Sequence, residues 1–210
     1  MRLSVKNGEI ILVAEDGTPT PIETALRHLE GHVLSVQTRS DICLVLEDLG
    51  PRDEACREPI NITRSADPRY VAISNLYPTP FTLDGEDYAS IEGFWQSLKC
   101  GTPERRRQVA ARSGSEAKKA AGRGPPPASF DYMGETIATG THAHWQLMER
   151  ACAAKFTQHE QARAALLATG DRPLTHVVRR DSRTIPGVIM AQIWMRIRKK
   201  LQDDSLTNEA

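Results

Sequence analysis

Apolar and polar positions alternate over short runs in the first third of the chain. Residues 3–5, 10–14, 33–36 and 42–46 are apolar or alternating stretches, separated by Asn7-Gly8, Asp16-Gly17 and Gly31. Those separators are turn-forming residues, so the pattern predicts strands. One helix is expected over 21–30, starting near Thr20 or Pro21 and ending before Gly31. The stretch from Gly50-Pro51 to Pro59 is polar and has the composition of a linker or exposed loop. The predicted division is a small β-rich N-terminal module over 1–65 and a main domain over 66–205.

From about residue 66 the pattern becomes helical. A Pro-punctuated loop and a short strand lead into a helix capped by Ser90 and running through Leu98. Thr102-Pro103-Glu104 is a second start signal, with Pro at the first helical position and an acid in the first turn. Ser115 can cap a shorter helix, which the Gly- and Pro-rich run 122–127 stops. A long helix is expected over 142–156. Trp145, Met148, Cys152 and Phe156 recur there at i, i+3, i+7 and i+11, a spacing that predicts one buried stripe. Another helix spans 159–169, closed by Gly170 and Pro173. The last spans 186–201, with Ile189, Ile193, Ile197 and Leu201 on one face. Its basic residues Arg196, Arg198, Lys199 and Lys200 favour the negative end of the helix dipole. The tail beyond is expected to fray. The fold class is α+β, with the main domain mostly helical, and the chain has no internal repeat.

Composition narrows the class without choosing a chemistry. The 210 residues are 40% hydrophobic and 26% charged, ordinary for a globular domain, and the formal net charge is zero. A nucleic-acid coat or a membrane-surface protein usually carries a strong overall bias. No apolar run approaches the roughly 20 residues that span a bilayer. The first residues lack the order of a signal peptide, so the expected compartment is cytoplasmic. Cys43, Cys56, Cys100 and Cys152 are widely spaced with no C-x-x-C pair, which reads as reduced thiols rather than a zinc site.

The chemistry-bearing residues concentrate between Ser74 and Lys99, SNLYPTPFTLDGEDYASIEGFWQSLK. Glu92 and Lys99 lie two helical turns apart on one face, about 10 Å by helical rise. An acid and an amine on one wall suit acid/base or imine chemistry. The segment resembles the opening motif of the NADAR family, the YbiA-like N-glycosidases, through Ser74-Asn75-Leu76, Pro80-Phe81, Asp84-Gly85, Ser90-Ile91-Glu92-Gly93, Trp95-Gln96 and Lys99. Three later pieces agree in order: His144-Trp145 to Lys155-Phe156, Leu166 to Asp171, and Ile189-Met190 to Arg198. The resemblance covers about 70–201. It implies a mostly helical YbiA-like α+β fold and hydrolysis of an N-glycosidic bond to a phosphorylated ribose. The implied substrates are ribosylamino-pyrimidine phosphates, which are riboflavin intermediates, or ADP-ribose joined to guanine. Neither a metal nor a cofactor is implied. Expected partners are therefore a small nucleotide or ADP-ribose conjugate, or ADP-ribosylated DNA, and no membrane. Glu92, Lys99, Trp145 and Asp181 fall on the family's functional positions. The chain departs from the pattern where Gly93 replaces a His, where His176 replaces a Glu, and where no Trp follows Asp181.

Each candidate also has a plain structural reading. Glu92 suits a general acid or a stabiliser of an oxocarbenium-like state, and equally a first-turn carboxylate on a helix dipole. Lys99 suits an imine-forming amine, a phosphate contact or an ordinary C-terminal lysine. Asn75 can orient a sugar hydroxyl or simply form a turn. Gln96 belongs to the expected substrate-binding set. Trp95 and Trp145 can stack on a leaving base, though Trp145 also lies in the apolar stripe. Asp181 can polarise water or sit in a solvated charged loop. His176 can carry a proton near neutrality. Lys118 and Arg123 can form a phosphate wall, whereas Arg105, Arg106 and Arg107 point around a helix and suit an exposed face. The alternative to an enzyme is a module that binds ADP-ribose or a nucleotide without cleaving it, suggested by His176 and the missing Trp.

Overall fold

The computed structural model describes residues 2–6, 9–13, 19–21, 32–38, 44–51, 59–63, 67–122 and 124–208, backbone alone before 52 and after 204. The chain divides into two units, 1–58 with 171–173, and 59–170 with 174–210. In the first unit, β1 (Arg2–Lys6), β2 (Glu9–Val13) and β3 (Pro19–Pro21) form an antiparallel sheet in that order. A second antiparallel pair joins β4 (His32–Thr38) to β5 (Leu44–Pro51), with a bulge between His32 and Leu34. The helix expected over 21–30 lies outside the described residues, except Pro21, which ends β3. Apart from Gly50 and Pro51, which end β5, and Pro59, the same is true of the linker.

The second unit mixes helices with short strands. Strand β6 (Ile60–Asn61) pairs in parallel with a later strand, and a 3-10 helix at Pro68–Ile73 follows it. Strands β7 (Phe81–Leu83) and β8 (Glu86–Tyr88) form a hairpin. Its turn residues Asp84 and Gly85 have φ of 50° and 85°, a left-handed pair that Asp-Gly supplies readily. Phe81 stacks on Tyr88 at 5.4 Å, and Tyr88 meets Phe94 edge-on at 4.9 Å, which buries the hairpin against the next helix.

That helix is α1 (Ile91–Leu98), followed by α2 (Pro103–Ala110) and α3 (Gly114–Ala121). The Ser90 hydroxyl caps α1 by accepting the Gly93 N–H at 2.9 Å, as its sequence predicts. Thr102 caps α2 in the same way. The α3 start falls at Ser113, two residues before the expected Ser115. Gly93 is required by packing. A Cβ there would lie 2.3 Å from the Arg112 carbonyl oxygen and 2.9 Å from that of Ala110. The end of α2 therefore occupies the space that a His would need. The Ala110 carbonyl in turn accepts the Ala89 N–H at 2.9 Å.

A hairpin not anticipated from the sequence, β9 (Ser129–Tyr132) with β10 (Glu135–Ala138), precedes α4 (His142–Gln158) and α5 (Glu160–Leu167). Strand β11 (Leu174–Thr175) pairs with β6, and α6 (Gly187–Asn208) closes the unit. The final helix runs seven residues past Leu201, to Asn208, into the tail expected to fray. Met148, Cys152 and Phe156 are buried on α4 as expected, but Trp145 is only half-buried, and His144 is fully buried beside it. The buried stripe thus turns by one residue at the first helical turn. Among the described residues no helix is long and apolar enough to cross a membrane.

Lys155 on α4 is fully buried. Its ammonium donates to the Ile73 carbonyl at 2.9 Å and the Ser74 carbonyl at 3.0 Å, and lies 4.9 Å from the Phe156 ring centre. Burial lowers its pKa from 10.5 to about 7. Between those values the unfolded chain holds a proton that the folded chain has released, so this group makes stability rise with pH across that window. The stability difference between wild type and Lys155→Met should therefore grow in favour of wild type by about 2 kcal/mol from pH 7 to pH 9. Urea unfolding at the two pH values measures it. An equal difference at both would show that the buried amine does not titrate in this range.

Candidate functional site

The α1 sequence places Glu92, Trp95, Gln96 and Lys99 at i, i+3, i+4 and i+7, one helical face. The Glu92 N–H donates to the Asn75 carbonyl at 2.9 Å, which ties the 74–76 loop to the first turn of α1. Beside them lies a cavity of about 390 Å³. Its walls include Asn75, Glu92, Trp95, Gln96, Lys118, His176 and Asp181, seven of the ten residues singled out from sequence. Lys99 and Trp145 are not in its wall, and Arg123 lies outside the described residues. Two other hollows, of about 330 and 670 Å³, hold none of the ten.

The first wall is built around a charged row. Glu92 Oε1 accepts from Gln96 Nε2 at 2.7 Å and lies 3.7 Å from Lys118 Nζ. Gln96 Oε1 accepts from Lys99 Nζ at 3.0 Å. The Lys99 ammonium sits 4.7 Å from the Trp95 ring centre. Burial lowers the Lys99 pKa and the nearby Lys118 charge adds to this, while Glu92 opposes both. Trp95 is backed by His144, ring centres 4.5 Å apart. His144 Nδ1 accepts the Gly140 N–H at 3.1 Å, so the proton of the neutral ring sits on Nε2. Burial lowers its pKa to about 4, with help from Lys99. Asn75 Oδ1 is buried with no hydrogen-bond partner among the described residues.

The second wall is the loop between β11 and α6. It closes on itself at Gly187, where a Cβ would lie 2.2 Å from the His176 carbonyl oxygen. Only glycine allows that approach. Asp181 Oδ1 accepts two N–H groups at 2.8 Å, from Ser182 and from Gly187 at the start of α6. His176 Nδ1 lies 2.5 Å from the Ile62 carbonyl oxygen. A carbonyl only accepts, so Nδ1 is the donor and the neutral ring presents Nε2 as an acceptor. Trp145 Nε1 donates to the Thr184 carbonyl at 2.8 Å. Its indole anchors this loop from outside the cavity, so a stacking role for Trp145 finds no support in its position.

Other expectations sort plainly. Arg106 donates to the Cys100 carbonyl at 2.8 Å and the Asp131 carbonyl at 2.7 Å, and Arg105 donates to Gln108 and the Ala120 carbonyl. These arginines brace the helices around them. Arg180, Met148, Ile185 and Met190 line the cavity without having been singled out. The run Arg179-Arg180-Asp181 was the only sequence signal for Arg180. Among the described residues no group of three or more His, Cys, Asp or Glu is placed to hold a metal ion.

The model of a family described as bacteriophage protein GP30.3 matches residues 69–194. No curated protein matches the chain. Among solved structures, the NMR structure of the E. coli protein YbiA is similar over 73% of this chain and 92% of that one, with TM-score 0.52 and 23% identity. That likeness shows a YbiA-like α+β fold. The matching family model is the phage one, not the NADAR family that the Ser74–Lys99 motif resembles.

The double acceptance by Asp181 Oδ1 gives a direct test of its structural role. Asp181→Ala should lower stability by about 1 kcal/mol through loss of the helix-start acceptor. Asp181→Asn, which keeps an acceptor oxygen, should lose only a few tenths. Thermal melts of both variants check this. Equal losses would mean that the oxygen is not what holds the start of α6.

Proposed function

The chain belongs to the bacteriophage protein GP30.3 family and carries a YbiA-like fold, and from this premise we propose that it is a hydrolase of the NADAR kind, a metal-independent N-glycosidase. Its substrate is a ribose-phosphate or ADP-ribose conjugate, a ribosylamino-pyrimidine phosphate or ADP-ribosyl-guanine. The observation that carries this is one cavity walled by both Glu92 and Asp181, with Asn75, whose carbonyl accepts the Glu92 N–H, in the same wall.

In this reading the ribose enters with a hydroxyl donating to Asn75 Oδ1. The base departs with the electron pair of the C1–N bond and takes up a proton, and water adds to C1. Glu92 stabilises the positive charge that develops at C1. Only Oε1 of Glu92 has a hydrogen-bond partner among the described residues. His176, held with Nε2 as acceptor, can take the proton of the attacking water or, once charged, protonate the base. Lys118 and Arg180 in the wall suit the phosphate. Lys99 acts from behind Gln96, and reaches C1 as an imine-forming amine only by leaving that hydrogen bond. The apolar surfaces of Met148, Ile185 and Met190 suit the base. The exposed Arg179, Arg180 and Arg183 on the cavity loop suit a longer polyanion, so ADP-ribosylated DNA stands among the substrates to test.

A second reading, binding without cleavage, is favoured by one observation. Asp181 Oδ1 is committed to capping α6. Base release from ribosylamino-pyrimidine phosphate and from ADP-ribosylated guanine DNA separates the two. Wild type should release base, and Glu92→Gln should be slower by roughly 10²-fold or more. No release from either substrate, or equal release by the variant, would defeat the enzyme reading. Heat of ADP-ribose binding without turnover would then support the second.

A further inference from the structure

Gln96 stands among the residues expected to touch substrate, yet both ends of its buried amide are engaged within the protein. Nε2 donates to Glu92 Oε1 at 2.7 Å, and Oε1 accepts from Lys99 Nζ at 3.0 Å. A primary amide is a donor at one end and an acceptor at the other. Turned over, it would set its NH2 against the ammonium and its oxygen against the carboxylate. The two charges therefore fix its orientation. They are also kept from direct contact, since the amide fills the space between them.

We propose that Gln96 is a positioning residue that couples Glu92 to Lys99 through its side-chain amide, so that carboxylate and amine respond to each other's charge as a pair. The importance of that pair rests on the N-glycosidase reading; the coupling itself does not. Other groups facing the row are Lys118 from α3, His144 from α4, Cys100 just past α1, and His176, Arg180 and Asp181 on the loop that forms the opposite wall. Lys118 shares the Glu92 oxygen that Gln96 binds, at 3.7 Å. Its exposed ammonium is screened by water, so the buried amide is the stronger of the two contacts. The helix gives this row its order. Glu92 precedes Gln96 by four residues and Gln96 precedes Lys99 by three, so each meets the next on one face.

The test reads protonation without turnover. Side-chain NMR titrations of Lys99 in the full chain are compared among wild type, Gln96→Met and Gln96→Glu. Met removes donor and acceptor together. Lys99 should then titrate lower by roughly half a unit or more, because its charged form loses a hydrogen bond. Glu at position 96 sets a carboxylate against the ammonium, so Lys99 should titrate roughly one unit higher. Should Gln96→Met fail to fold, the Gln96→Glu titration alone decides. Unchanged titration of Lys99 in a natively folded variant would overturn the coupling. A wild type that releases no base from any substrate, with these shifts present, would overturn the glycosidase reading and leave the coupling standing.

Discussion

One ammonium group, sealed from solvent, decides where the first wall of the cavity stands. Lys155 gathers the carbonyls of Ile73 and Ser74, the two residues before Asn75. The Asn75 carbonyl then receives the Glu92 N–H and sets the loop on the first turn of α1. Backbone carbonyls turned into an apolar interior need a donor, and an unpaired one costs about 1–3 kcal/mol. A lysine reaches two at once from the neighbouring helix. Asn75 Oδ1, buried and without a hydrogen-bond partner among the described residues, thus sits on backbone held by Lys155 and Glu92.

The opposite wall is held by different means. Its loop is drawn shut where Gly187 meets the His176 carbonyl, and it is fastened by Asp181 to the start of α6 and by Trp145 to α4. The polar groups that line the cavity therefore come from α1 with Glu92 and Gln96, from α3 with Lys118, and from the loop between β11 and α6 with His176, Arg180 and Asp181. A site assembled this way keeps its geometry through packing rather than through a ligand. It also explains why Asp181 serves two purposes, since one oxygen closes the loop and the carboxylate remains in the cavity wall.

Local chemistry was legible in the sequence. Ser90 and Thr102 start their helices where side-chain capping predicts, and the Glu92-to-Lys99 spacing sets those groups on one face. What misled was periodicity at a helix end. Trp145 fits the apolar stripe by count, yet its N–H seeks the Thr184 carbonyl, and the adjacent His144 takes the interior place. Burial of Lys155 was hidden for a general reason, because lysines seldom lie fully buried. The need for Gly93 and Gly187 depends on backbone from distant segments, which no local pattern reports. Gln96 entered the expected substrate-binding set through the motif resemblance, and it lines the cavity; the bridge it also makes between Glu92 and Lys99 shows only in the paired distances.

The account turns on the two walls enclosing one sugar. A crystal of the protein soaked with ADP-ribose or ribose 5-phosphate tests this most directly. The ribose should lie between α1 and the 176–187 loop, with a hydroxyl on Asn75 Oδ1 and C1 roughly 3–3.5 Å from a Glu92 oxygen. A ligand seated instead in the hollow beside Tyr88, Arg106 and Tyr132, or a sugar in the cavity with C1 turned away from Glu92, would contradict it.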